Sequence, residues 1–102
     1  MVTVYTKEKE WSHKGLECLV VKVDYGIPKI ENHRCGYVTI SEEKFMQIDT
    51  ENLNVHNGIT SSVTNEKGVR LGFAVNGCDD NRDEWDVEAV AKEVEKLAEQ
   101  LT

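Results

Sequence analysis

The chain has 102 residues, of which 39% are hydrophobic and 30% charged, and it carries a net charge of −7. This is the length of one domain, apolar enough to build a core and too apolar for disorder. No apolar run approaches the roughly eighteen residues that a membrane helix needs, and the opening MVTVYTKEKEW lacks a signal peptide's charged-then-apolar layout, so a cytoplasmic protein without membrane contact is expected.

The charge is unevenly placed. Residues 1–36 hold six basic and five acidic side chains, whereas residues 79–102 hold nine acids against Arg82, Lys92 and Lys96. Repulsion by phosphates disfavours direct DNA or RNA binding. The acidic segment reads either as a solvated helix face or as a surface imitating a phosphate backbone toward a basic protein. Three widely spaced cysteines, Cys18, Cys35 and Cys78, argue for free thiols rather than a disulfide framework, and Cys18, inside an apolar run, reads as a small buried hydrophobe.

In chain order, LECLVVKVDY at 16–25 predicts a strand, and Gly26-Ile27-Pro28 breaks it. The next strand is expected over 37–40, begun by Gly36. Ser41 is a suitable N-cap for a helix of about one turn, with Lys44 at the third helical position. A short strand is expected at 53–56, then a hairpin turn at Asn57-Gly58, because a type I′ turn needs positive φ at both central residues. Its partner strand is 59–63. Asn65-Glu66-Lys67-Gly68 is another turn and 69–75 another strand, which makes a meander of antiparallel strands. From Val87 the apolar positions Val87, Val90, Ala91, Val94, Leu97, Ala98 and Leu101 form one helical stripe, with Asp86 as N-cap. The expected fold is α+β: a small antiparallel sheet of short strands packed by a C-terminal amphipathic helix, in a single domain.

His33, Cys35, His56, Cys78, Asp79 and Asp80 include the zinc ligand types, but neither C-x-x-C nor H-x-x-x-H occurs. Cys35 and His56 could form a thiolate–imidazole pair, though no nucleophile signature surrounds Cys35. Phosphate-loop and dinucleotide fingerprints are absent. The sequence therefore assigns no metal, cofactor or catalytic residue. A binding site for a small anionic or nucleotide-like ligand uses arginine forks, imidazole or amide donors and an aromatic face. His33, Arg34, Tyr37, Asn57, Thr60 and Arg70 supply that chemistry.

The succession HRCGYVTI, VHNGIT, RLGFAVNGCDD and a terminal VEKLAEQL resembles a group of small tailed-phage and prophage proteins. Their pattern is H-x-C-G-Y-V, then V-H-G-G-[IL]-T, then G-F-D-C-x-H-x-G-D, often closed by L-A-E-Q-L. The resemblance spans residues 11–102 and matches at His33, Cys35, Gly36, Tyr37, His56, Gly58 and Asp80, which adds His56 and Asp80 to the expected ligand-facing set. This chain departs from the pattern at Asn57, in the middle of H-G-G, and at Ala74 and Gly77, where the group has aspartate and histidine. Those departures weigh against an enzyme and toward binding. What the resemblance implies is a small viral protein acting in the bacterial cytoplasm. Together with the His, Arg, Asn and Tyr groups and the missing catalytic fingerprints, the expectation is a phage accessory protein that counters host defence by sequestering a nucleotide-type immune signal as a homo-oligomer. The alternatives are an acidic inhibitor of a host defence protein, or a metal-dependent or cysteine enzyme.

Overall fold

The structure is a computed structural model that describes residues 4–24, 33–55, 58–75 and 86–102, with His33 described in its backbone alone. The expected break at Gly26-Ile27-Pro28 lies outside these residues. The fold is α+β, as expected. Five antiparallel strands, β1 (Val4–His13), β2 (Leu16–Asp24), β3 (His33–Ile40), β4 (Ser61–Asn65) and β5 (Gly68–Val75), form one sheet in the order β1-β2-β3-β5-β4. Among the described residues two helices, α1 (Glu42–Gln47) and α2 (Val87–Gln100), accompany the sheet, with a 3₁₀ turn at Thr50–Asn52.

The order corrects the expected meander. Strand β5 inserts between β3 and β4, so residues 41–60 carry the chain past a slot that a later strand fills. Strand β3 also starts at His33, with Gly36 in its interior and not at its head.

Strand β1 gave no clear signal because VYTKEKEWSH mixes exposed charged residues with aromatics. It is long because it forms a hairpin with β2 through Lys14-Gly15, where both residues have positive φ (55° and 80°) as a type I′ turn requires. The expected hairpin at Asn57-Gly58 is not what joins strands here. Gly58 does have φ 71° and its N–H donates to the Val55 carbonyl at 2.9 Å, while Asn57 lies outside the described residues. Residues 53–55 are not a strand. The Gln100 side-chain amide satisfies Asn54 from both sides, accepting from its N–H and donating to its carbonyl, each at 2.7 Å. A helix side chain thus makes the bonds that a neighbouring strand would have made. The Asn65–Gly68 turn forms as expected, with Asn65 Oδ1 accepting from the Lys67 N–H. Ser41 caps α1 through the Lys44 N–H, and Asp86 caps α2 through the Ala89 N–H.

The two faces of the sheet differ. On one, α2 lays Val90, Ala91, Val94, Leu97 and Ala98 onto Cys18, Val20, Val38, Leu71 and Phe73, all buried. Full burial of one larger aliphatic side chain is worth about 1.5–3 kcal/mol. Several such residues hold a helix of this length, which is marginal alone. His13 at the end of β1 adds a polar tie, with Nδ1 at 3.2 Å from Glu95 and Nε2 at 3.4 Å from Glu99. On the other face Leu19, Val21 and Val23 form a second cluster under Cys35 and Tyr37.

The centre of the sheet is packed by two reciprocal pairs. Gly36 lies opposite Phe73, and Tyr37 opposite Gly72. A Cβ at Gly36 would fall 2.5 Å from Val94 Cγ2 and 2.6 Å from the Phe73 ring; one at Gly72 would fall 2.6 Å from the Tyr37 ring. Each ring occupies the space its partner glycine leaves.

Gly36→Ala should therefore overpack the helix face and cost about 1–3 kcal/mol, read as a lower urea midpoint with an unchanged slope. Lys14→Asn replaces a residue strained at positive φ with one that tolerates it, and should stabilise the fold by up to about 1 kcal/mol, read as a higher urea midpoint.

Candidate functional site

The face that α2 leaves uncovered carries a groove of about 640 Å³ spanning all five strands. Its volume lies within the range of small-molecule sites, about 300–1,000 Å³. Leu19 and Val21 make an apolar floor, Tyr37 rises from the middle, and Lys7 and Arg70 bring cations. Tyr5, 69% exposed, and Val63, 57% exposed, mark its two sides. These positions share a face because cross-strand partners project the same way: Lys7 opposite Val21, Leu19 opposite Tyr37, and Arg70 opposite Val63.

Tyr37 and Arg70 form the polar heart of the groove. The Tyr37 ring sits above Gly72, and the Arg70 guanidinium lies 5.8 Å from the ring centroid, within cation–π reach. Among the described residues, Arg70 makes no ion pair. Lys7, Lys9, Lys67, Lys96 and Arg34 each have a carboxylate partner. In an acidic chain, an uncompensated guanidinium beside an aromatic ring is a place where an anion gains charge-assisted hydrogen bonds.

Burial pushes the Tyr37 hydroxyl up to about 12, helped by the neighbouring Cys35 and opposed by Arg70. Burial likewise raises the Cys35 thiol, which a hydrogen bond with Tyr37 partly offsets. A raised thiol stays protonated at neutral pH, the opposite of what a thiolate nucleophile needs. Cys18 is free and buried, as its apolar context suggested, and burial lifts it to about 11.

The expected ligand set separates. Tyr37 and Arg70 come together in the groove. Arg34 does not join them, because it shares strand parity with Gly36 and so lies on the helix side of the sheet. Its guanidinium is held by Glu8, the extra residue of a bulge in β1, with Nε to Oε1 at 2.7 Å and Nη2 to Oε2 at 3.4 Å. Thr60 is exposed and works in the backbone: its N–H donates to the Gly72 carbonyl at 2.8 Å, and its hydroxyl approaches the same oxygen at 3.4 Å. The backbone of His33 starts β3 opposite Val23, while its side chain, and His56, Asn57, Cys78, Asp79 and Asp80, lie outside the described residues. Among the described residues, no group of three His, Cys, Asp or Glu side chains is placed to hold a metal ion, and no helix is long and apolar enough to cross a membrane.

Sequence reasoning missed Tyr5, Lys7, Leu19, Val21, Ser61, Val63 and Asn65, which line the groove. Only alternation within VYTK hinted at Tyr5 and Lys7 sharing a face. No family model, curated protein or solved structure matches this chain.

The raised Tyr37 value gives a pH prediction. The folded state holds the phenol's proton up to about 12, whereas the unfolded chain releases it near the ordinary 10. The stability linked to it is complete below 10 and is lost as pH rises from there toward 12. Wild type should show a phenolate absorbance step near pH 12 that Tyr37→Phe lacks, and its urea midpoint should fall more steeply above pH 10 than the variant's.

Proposed function

We propose that the open-face groove binds a small anionic ligand of nucleotide type, with the ring stacked against Tyr37 and the anionic group met by Arg70. The observation that carries this reading is the pairing of a guanidinium, without an ion pair among the described residues, with an aromatic ring above an apolar floor. Stacking is worth about 1–3 kcal/mol per base, and it tolerates any base because each has a π-face. Taken with the resemblance to small tailed-phage proteins, the reading becomes capture of a nucleotide-type immune signal, with the chain acting as a counter-defence protein in the host cytoplasm.

The alternative of an acidic inhibitor of a host protein draws less support. Glu88, Glu95 and Glu99 of α2 are engaged within the chain by Lys9 and His13. An enzyme built on Cys35 draws less still, since the thiol is shifted away from thiolate.

Isothermal calorimetry against a panel of cyclic and linear nucleotides tests the proposal. Binding of at least one is expected. Arg70→Ala and Tyr37→Ala should each weaken it about tenfold or more, the loss of one charge-assisted contact or one stacking face. Gly72→Val should do the same by displacing the ring. A panel in which no member gives a binding heat would end this reading.

A further inference from the structure

Among the described residues the two outer edges of the sheet, β1 and β4, are guarded differently. Strand β1 protects its border with Lys7, Lys9 and a bulge at Glu8, which are devices that stop edge strands from pairing with other chains. Strand β4, on the opposite border, reads Ser-Ser-Val-Thr-Asn and, among the described residues, pairs with β5 alone. It has no charge, no proline and a regular register, in a chain where 30% of residues are charged. Ser62, Val63 and Thr64 are all exposed. Among the described residues no backbone hydrogen bond is made on its outer side. Alternate N–H and C=O groups therefore face outward without a partner.

The strand is also complementary to itself. In an antiparallel pairing about a two-fold axis through Val63, Val63 meets Val63, Ser62 meets Thr64 and Ser61 meets Asn65 of the second copy. An apolar pair at the centre and hydrogen-bonding pairs on either side are favourable cross-strand combinations. With no charge on the strand, the pairing brings no like charges into opposition despite the net charge of −7. Val63 is also one of the few exposed large hydrophobics among the described residues, which such a pairing would cover.

We propose that β4 is a homodimerisation edge, on which two copies join their five-stranded sheets into one. The contact is small beside the about 800 Å² per partner of a standard interface, so the dimer forms in a concentration-dependent manner. Joining the edges also joins the grooves, because Ser61, Val63 and Asn65 border each of them. The two Arg70 backbones then stand three strand spacings apart, about 14 Å, on one trough. This shared trough rests on the ligand reading above, whereas the dimer itself does not.

Sedimentation of the full chain from about 10 µM to about 0.5 mM, spanning the weak-association range, tests the edge. The mass should rise from 11.6 kDa toward twice that value. Ser62→Lys/Thr64→Lys places ammonium groups on the edge and leaves the groove side chains unchanged. It should stay at the monomer mass with an unaltered circular dichroism spectrum. Val63→Cys should form a disulfide-linked dimer under mild oxidation, beyond any background from wild type and from Lys9→Cys on the guarded edge. A wild type that stays monomeric throughout, a dimer that survives the lysine pair, or no cross-link at position 63 above background overturns the proposal. Should the lysine variant misfold, the cross-link alone decides. Nucleotide binding by the monomeric lysine variant would leave the groove reading standing, so failure of either idea is visible separately.

Discussion

Strands β3 and β5 each carry a glycine beside an aromatic residue, Gly36-Tyr37 and Gly72-Phe73, and their antiparallel register sets each glycine against the other strand's ring. Because adjacent residues on a strand face opposite ways, the two interlocked pairs lie on opposite faces of the sheet. Phe73 closes over Gly36 beneath Val94 and anchors the helix layer; Tyr37 closes over Gly72 and stands in the groove. A slip of one residue would set each ring against a neighbour that has a side chain and exchange the two faces. Core packing and the presentation of the groove thus depend on a single register.

Charge follows from the same geometry. The acids of α2 do not simply face solvent. Glu88 meets Lys9, and Glu95 and Glu99 meet His13, all on β1. Exposed pairs of this kind contribute about 0–1 kcal/mol, so they orient the helix that the apolar stripe already holds. Arg34 is neutralised by Glu8 on the helix side. Arg70 lies beside the Tyr37 ring and makes no ion pair among the described residues. A net acidic chain thus carries, in its open groove, a guanidinium that makes no ion pair among the described residues.

Much of the fold was legible locally. The α2 stripe, its Asp86 cap, the short helix after Ser41, the turn at Asn65–Gly68 and the buried character of Cys18 all follow from periodicity or side-chain chemistry within a few residues. Where local signals competed with distant partners, they failed. Asn57-Gly58 is a stronger type I′ signal than Lys14-Gly15, yet the hairpin forms at the latter, because β2 offers β1 a long register while Gln100 takes up the backbone of Asn54. The site was legible in part for the same reason. Arg34, Tyr37 and Arg70 were recognisable by chemistry, but whether two residues converge depends on strand parity and on which strands are neighbours.

The sequence by itself determined the two helices with their caps, the Asn65–Gly68 turn and the acidic balance, since each is set by side chains acting on their own turn or their own stretch of chain. Only the tertiary structure decided that β5 enters between β3 and β4, that Arg34 and Arg70 part to opposite sides, and that Tyr37 finds a glycine to lie over. Those outcomes belong to pairings between separate strands, such as Tyr37 with Gly72, whose energies exist only once the strands are side by side.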